Sequence, residues 1–349
     1  MKKTSKKTSD TRNRRSVNRT TIMIYAFVAY TLFFFGCDEP GRVTYKYLDK
    51  ISPAELEPQA IHIIREHLAD ENPAVRAIAI EVVADTRQIN LMPKVQRLLK
   101  DDFVPVRFAA ALAVGDTEYS LAKNAVEQLL NDEDENVKTA AAYAMNKFGS
   151  TDNLKLIRKK LASNDQTVRA NAALLLGKSS DKDSLKYLYW TMKRQGSSDK
   201  VRFQAAEAIA MIGDEEIISR LWPMLISVYA DDRVMGIKGM GALGTAKAKD
   251  VLVTKLDDDV LEVRLAAAEQ LGKLGDTTGE PEVLEVFTKN LTARLDEKEV
   301  EHINMLTALA IGEIGTESLT KFLPQLLKSE SKLVRIAAAK AVLECTMKN

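Results

Sequence analysis

The sequence is poor in the residues that build most catalytic and metal sites. It has two cysteines, Cys37 and Cys345, and three histidines, His62, His67 and His302, in 349 residues. Two cysteines exclude a disulfide framework. Three histidines without a CxxC or HExxH motif leave a zinc site short of ligands. Aromatic residues make up only 6%, which argues against a sandwich or barrel of many strands. We therefore expect no metal and no cofactor.

The charge is divided unevenly along the chain. Residues 1–36 carry eight Lys or Arg and one acid, so the other 42 basic and 48 acidic residues give 37–349 a formal charge of −6. A phosphate backbone needs clustered cations, so we expect no nucleic-acid partner. Aliphatic residues are abundant, because 46% of the residues are hydrophobic and few of these are aromatic. This is the composition of a folded helical protein.

The first fifty residues predict export to a membrane. Residues 1–20 are a basic N-terminal region, and 21–36 form an uncharged hydrophobic signal or anchor segment. Gly36-Cys37 resembles the end of a bacterial lipoprotein signal, although Phe34 stands where such signals usually carry Leu. The resemblance implies lipid attachment at Cys37 and a tether over 37–51. An uncleaved anchor and a chance cysteine are the alternatives. In the first two cases the basic flank stays inside, so we expect a cell-envelope protein with 38–349 outside the cytoplasm.

A short anchor motif, an aliphatic residue followed by a basic one, recurs along the rest of the chain. Six of the eight intervals are 31 residues, and the other two are 33 and 40. Positions 4, 8 and 11 after the anchor share one helix face with it and are small or apolar, and Gly often stands at position 12, where a helix can end. The nine anchors are Val75-Arg76, Val106-Arg107, Val137-Lys138, Val168-Arg169, Val201-Arg202, Asp232-Arg233, Val263-Arg264, Ile303-Asn304 and Val334-Arg335.

This spacing, as in DDVLEVR at 258–264, resembles the HEAT-like repeat of the phycobilisome-lyase (PBS lyase) type. The resemblance implies an all-α solenoid of about nine two-helix repeats over 52–349, forming a right-handed superhelix with the second helix of each pair on its concave side. Helices pack 8–10 Å apart, so nine units predict an open arc on the order of 80 Å. The interval of 40 residues places an insertion at about 276–302, which we expect to lengthen the first helix of the eighth repeat and which is a second candidate binding face.

The basic residue of the anchor has two interpretations. One is an anion-binding stripe. The family resemblance favours the other, a structural ladder whose cations pair with acids of the preceding turn, such as Asp70, Asp101, Asp132 and Asp258. The predicted ladder residues are Arg76, Arg107, Lys138, Arg169, Arg202, Arg233, Arg264 and Arg335.

Three consecutive repeats have an apolar residue at position 6 after the anchor. We predict a protein-binding stripe on the concave side made of Phe108, Leu112, Tyr143, Leu174 and Phe203. Packing of these residues in the core is the alternative. In the expected open arc, positions 3, 6 and 10 do not converge on a polar cluster. Trp190 and Trp222 belong to first helices and are expected to be packing residues.

No catalytic fingerprint is present. GxSxG, P-loop and dinucleotide motifs are missing, as are the His-Glu pairs of the HEAT-type deoxyhypusine hydroxylases. We therefore predict a membrane-anchored scaffold or assembly factor that binds a protein partner, and not an enzyme. The lyase-type resemblance supplies the alternative, a lyase-like or chaperone-like accessory subunit acting on a cofactor-bearing protein.

Overall fold

The computed structural model describes residues 52–348, and over these residues the chain is all-α. The predicted solenoid of two-helix repeats is confirmed, and the described residues contain nine repeats. The regions predicted for 1–20, 21–36 and 37–51, with Cys37, lie outside the described residues. The first helices are α1 (Pro53–His67), α3 (Met92–Leu98), α5 (Lys123–Gln128), α7 (Asn153–Lys160), α9 (Leu185–Lys193), α11 (Ile218–Leu225), α13 (Ala246–Thr254), α15 (Glu280–Thr288), and α17 (Glu317–Thr320) with α18 (Leu323–Leu326). The second helices are α2 (Pro73–Asp85), α4 (Val104–Thr117), α6 (Glu135–Lys147), α8 (Gln166–Lys178), α10 (Asp199–Met211), α12 (Ala230–Leu243), α14 (Leu261–Lys273), α16 (Glu297–Ile314) and α19 (Lys332–Lys348).

The second helix of each of the first eight repeats is followed by a residue in the left-handed conformation, always at position 12 after the anchor. Five of these residues are glycines, as the sequence predicts, and Gly315 is one of them, with φ of 72°. Arg87, Glu118 and Ser180 adopt the same conformation without being glycine. The turn is therefore a property of the repeat, and glycine only lowers its cost.

Successive second helices approach until their backbones are almost in contact. A Cβ added at Gly177 of α8 would lie 2.8 Å from the Cα atom of Ala208 in α10, and one added at Gly312 of α16 would lie 2.6 Å from the Cα atom of Ala341 in α19. The small residues at position 4, such as Ala79 and Ala110, are fully buried. These contacts fix a close spacing between the second helices, which form the inner layer.

The two ends of the array meet. The last helix, α19, packs against both α1 and α2 of the first repeat. Two ion pairs join the same elements: Lys332 Nζ lies 2.7 Å from Asp70 Oδ2, and Lys340 Nζ lies 2.6 Å from Asp85 Oδ2. The nine repeats therefore form a closed ring, whereas the sequence predicts an open arc.

The terminal helices show why the ring closes. An open solenoid needs end repeats with a polar outer face, because their last apolar surface would otherwise meet water. Here α1 buries Ala60, Ile63 and Ile64, and α19 buries Leu333 and Ile336. Each end covers the apolar surface of the other, so neither end acts as a cap.

The insertion lengthens a different element from the one expected. The first helix of the eighth repeat, α15, has 9 residues, the same length as α9 and α13. The extra residues form a loop before α16 and an additional N-terminal turn of α16, which has 18 residues against 13 in most second helices. A capping box between Asp296 and Glu299 starts this longer helix.

Candidate functional site

The predicted protein-binding stripe is not an exposed surface. Leu112, Tyr143 and Leu174 are 5%, 1% and 1% exposed, and Phe108 is 4% exposed. Phe203 is partly buried. Closure brings the inner helices together from all sides, so these apolar groups pack in the core. The expectation of an exposed concave stripe is wrong in the closed ring, and the core alternative describes these residues.

Charged side chains from opposite sides of the ring meet at its centre instead. They occupy positions 6 and 10 of the second helices, the same positions that were expected not to converge. Ion pairs connect different helices: Lys178 Nζ lies 3.1 Å from Asp116 Oδ2, and Lys273 Nζ lies 4.0 Å from Glu313 Oε1. The Tyr143 hydroxyl donates to Asp116 at 2.6 Å. We call this set the central charge cluster: Glu81, Asp85, Asp116, Lys178, Glu269, Lys273, Glu313, Lys340 and Glu344.

Two acids of the central charge cluster hold their protons unusually tightly. Burial and the neighbouring Asp85 raise the pKa of Glu81 to about 8, although Lys340 and Lys178 oppose the shift. Burial, partly offset by Lys340, raises the pKa of Glu344 to about 7, and its Oε2 atom is buried without a hydrogen-bond partner among the described residues. Both carboxyls lie where protein surrounds them and charge is poorly solvated.

Asp85 and Lys340 are held ionised by opposite charges. Burial alone would raise the pKa of Asp85, but Lys340 outweighs it and the pKa lies below its usual value. Burial would likewise lower the pKa of Lys340, yet Asp85 and Glu344 hold it well above the ordinary value. Lys340 is therefore the main cation of the junction between the last repeat and the first.

The predicted ladder is present, but its carboxylates come from the next repeat. Arg76 Nε donates to Asp101 Oδ2 at 2.9 Å, 25 residues further along, while its Nη1 donates to the carbonyl of Asp70 in the preceding turn. Arg107 makes the same bidentate contact with Asp132. The expected pairing with carboxylates of the preceding turn is wrong, since that turn supplies carbonyl oxygens. At Arg76 and Arg107 the ladder therefore ties one repeat to its successor.

The remaining ladder positions vary in their partners. Arg169 and Arg335 donate to backbone carbonyls, and the other cations reach a carboxylate. The partners are Glu135 for Lys138, the carbonyls of Ser163 and Gly196 for Arg169, Asp199 for Arg202, Asp258 for Arg233, Glu282 for Arg264, and the carbonyls of Ser329 and Glu330 for Arg335. At the junction, Asp70 pairs with Lys332 of the last repeat and not with the ladder residue Arg335. The ladder is therefore interrupted where Lys138, Arg202 and Arg335 bond within their own repeats.

The thiol of Cys345 and the imidazole of His67, which could act as nucleophile or base in other settings, are both buried in the fold. Cys345 is 1% exposed, and burial raises the pKa of its thiol to about 12. His67 is buried with Nδ1 at 2.7 Å from the carbonyl of Ile63. Among residues 52–348 no group of three or more His, Cys, Asp or Glu side chains has the arrangement of a metal site. Across the same residues, no helix is long and apolar enough to span a bilayer.

Exposed apolar residues are concentrated in repeats five and six, on two first helices and on the loop that follows the second of them. Trp190 and Trp222 are 49% and 50% exposed, so the expectation that they are packing residues is wrong. Within residues 52–348, six of the twelve large apolar residues that are exposed lie between 187 and 229, and both tryptophans are among them. We call these six the outer aromatic patch: Tyr187, Trp190, Trp222, Ile226, Val228 and Tyr229. The available signal in the sequence was spacing, because Trp190 lies two residues from Leu188, which is buried, and so falls on the opposite side of α9.

A groove of about 790 Å³ runs beside Trp222 and crosses three consecutive first helices. Tyr189 and Lys193 of α9 form one side, residues 215–222 form the floor and the other side, and Lys247 of α13 closes one end. The Tyr189 hydroxyl donates to Asp214 at 3.3 Å, and burial together with Asp214 raises its pKa to about 12. The tyrosine ring is thereby held in place as a wall of the groove.

Comparison with known proteins supports the repeat assignment. The family model for HEAT repeats matches residues 92–159 and 154–234, and the model for the PBS lyase HEAT-like repeat matches residues 263–292. An uncharacterized phycocyanin operon protein Z from Pseudanabaena tenuis is 26% identical over 142 residues, which cover 41% of this chain and 70% of that protein.

Two solved structures illustrate the helical-repeat likeness. The complex of CpcE and CpcF of phycocyanin lyase from Nostoc sp. is 18% identical, covering 72% of this chain and 94% of that chain, with a TM-score of 0.41. Human deoxyhypusine hydroxylase is 16% identical, covering 76% and 99%, with a TM-score of 0.38. The repeat spacing, the helices and the matching family models together show that the chain contains HEAT-like repeats.

Proposed function

We propose that this chain is a scaffold or assembly factor that binds a protein partner through the outer aromatic patch. The observation that carries the proposal is the exposure of both tryptophans on adjacent first helices, beside a groove of about 790 Å³. Trp, Tyr and Arg are the residues that most often dominate binding energy at protein interfaces. An exposed cluster of apolar side chains of this kind marks an interaction site.

The shape of the ring directs binding to its outside. The inner helices carry the central charge cluster and leave the predicted stripe buried. The groove beside Trp222 has the volume of a site that takes a small ligand, so it accommodates a few anchoring side chains of a partner. Tyr187, Ile226 and Val228 extend the contact surface beyond it.

A lyase-like or chaperone-like accessory role is the second candidate. The match of residues 263–292 to the PBS lyase HEAT-like repeat and the likeness to a phycocyanin operon protein favour it. Under that role the same outer aromatic patch would bind a cofactor-bearing protein. A partner that carries a bound chromophore when captured distinguishes this candidate from a simple scaffold.

Capture from intact cells tests the proposed surface. We expect the full-length protein to crosslink reproducibly to one partner, and the Trp190→Ala/Trp222→Ala variant to lose about 90% or more of that product, because removing hot-spot residues costs about 2 kcal/mol or more. The matched control is Leu121→Ala/Leu156→Ala, which removes exposed apolar groups elsewhere. Equal capture by both variants and the wild type would refute the surface.

The proposed location is the cell envelope, with Cys37 lipidated and the ring outside the cytoplasm. The basic residues before an uncharged segment support this. We expect labelled palmitate to be incorporated into the wild-type chain in a bacterial host and to be lost in the Cys37→Ser variant. Membrane association without label would favour the uncleaved anchor.

A further inference from the structure

Five cations lie over the outer aromatic patch or in the groove beside Trp222. Lys186 Nζ lies 4.9 Å from the centre of the Tyr187 ring, and the Arg194 guanidinium lies 5.2 Å from that of Trp190. The groove adds Lys193, Arg220 and Lys247. These five cations lie on a chain whose portion 37–349 has a charge of −6.

The three cations of the groove are free to receive a partner's charge. Lys193, Arg220 and Lys247 form no ion pair with any carboxylate within residues 52–348. Two acids, Glu215 and Glu216, also line the groove, and both belong to the turn before α11. In the lining of the groove the three cations therefore outnumber the two acids.

The shape of the patch fits a helical segment. The groove crosses three consecutive first helices, and its lining includes the two aromatic side chains of Tyr189 and Trp222. Amphipathic helices bind such surfaces with anchors at i, i+3, i+4 and i+7. Acidic residues flanking those anchors would meet the lysines and arginines at the rim, which raises the association rate and selects against basic segments.

We propose that the outer aromatic patch binds an acidic amphipathic helix of a partner protein, a proposal that rests on the function proposed above. Single-stranded nucleic acid also combines negative charge with stacking on aromatic rings. The carboxylates of Glu215 and Glu216 in the groove wall repel phosphates, whereas a peptide can place its few carboxylates away from them. The acidic helix is therefore the occupant that the charges favour.

A displayed peptide library tests the charge preference directly. The library consists of amphipathic helices with Leu or Phe at the anchor positions and with Glu or Lys, in equal proportion, at every outer position. The full-length chain should enrich Glu-rich members, and the Lys193→Glu/Lys247→Glu variant should enrich Lys-rich ones. Lys100→Glu/Lys328→Glu, which changes two exposed lysines far from the patch, should leave the Glu preference intact.

Tryptophan emission then locates the binding site. The chain has two tryptophans, and both belong to the outer aromatic patch, so a bound peptide that covers them should shift their emission to shorter wavelength. The best Glu-rich peptide should bind at least tenfold more tightly than the same peptide with Lys in place of Glu, and salt should reduce the difference because it screens exposed charges.

Several outcomes would overturn the proposal. Enrichment of Lys-rich peptides, no charge preference, or no enrichment at all contradicts an acidic partner. Tighter binding of a single-stranded oligonucleotide than of the best peptide assigns the patch to nucleic acid. If the library fails while Trp190→Ala/Trp222→Ala still abolishes capture from cells, the patch binds a protein of different chemistry and only this inference falls. If capture survives that variant, the proposed function itself falls.

Discussion

Lys340→Met should lower the free energy of unfolding by about 3 kcal/mol near pH 8. Lys340 Nζ lies 2.6 Å from Asp85 Oδ2 and 3.6 Å from Glu344 Oε1, and its side chain is 18% exposed. Removing one partner of a largely buried pair leaves an uncompensated charge, which typically costs about 3–5 kcal/mol. Partial contact of Asp85 with water reduces that cost. Chemical denaturation followed by circular dichroism measures the loss.

The same variant should recover stability as the pH falls. Without Lys340, the pKa of Asp85 and that of Glu344 rise, so both carboxyls take up protons in the folded state and the uncompensated charge disappears. The matched control is Lys332→Met at the other ion pair of the junction, whose lysine is 52% exposed. An exposed pair contributes about 1 kcal/mol or less. Equal losses in the two variants would contradict the assigned role of Lys340.

Glu81→Gln should stabilise the protein by about 2–4 kcal/mol near pH 8 and leave it unchanged below about pH 4.5. The pKa of Glu81 is raised from 4.5 to about 8 in the folded state. Between these values the folded chain keeps a proton that the unfolded chain has lost, so stability decreases as the pH rises through this window. Glutamine resembles the protonated carboxyl and removes that loss. Denaturation midpoints at several pH values measure it.

Glu269→Gln is the matched control with the opposite sign. Glu269 occupies the same position 6 in the seventh repeat. Burial works to raise its pKa, but Lys273 and Lys238 outweigh burial and the pKa lies below its usual value. This carboxylate therefore stabilises the fold above its unfolded pKa, and the stabilisation is lost as the pH falls. Glu269→Gln should destabilise the protein at neutral pH. If Glu81→Gln and Glu269→Gln both stabilised the protein, the effect would come from an excess of negative charge in the central charge cluster and not from the raised pKa of Glu81.

The repeat architecture could be predicted from the sequence because it depends on local, repeated rules. Leu99 before the anchor and Ala110 after it are buried as their spacing predicts, and Gly213 and Gly275 take the left-handed conformation that ends a helix. Each of these features is decided within about thirty residues, and nine repetitions reinforce the same pattern.

Closure of the ring could not be predicted in the same way. It depends on the small rotation between neighbouring repeats, summed nine times, and no single residue fixes that angle. Two signals were nevertheless present. Asp70 holds a ladder position with no preceding repeat to supply its cation, and the apolar faces of α1 and α19 have no polar cap. Both signals acquire a partner only when the ends meet.

The misplaced candidate site follows from the missed closure. In an open arc, position 6 faces solvent, so Leu112 and Leu174 look like a binding stripe. In the ring the same position faces the centre, where Leu112 and Leu174 are buried, while the outer residues Trp190 and Trp222 remain exposed. Spacing in the sequence identified which residues share a face, but the curvature of the array determined which face meets water.

A distance across the junction tests the closed ring most directly. Glu71 and Glu330 are both exposed. Glu71 follows Asp70 and Glu330 lies two residues before Lys332, so the two flank the ion pair at the junction. Spin labels at Glu71→Cys and Glu330→Cys, in a Cys37→Ser background where Cys345 stays buried, can be measured by pulsed electron paramagnetic resonance. The closed ring predicts one narrow, short distance. A broad distribution or a separation approaching the ~80 Å of an open array would contradict closure and the outward-facing site derived from it.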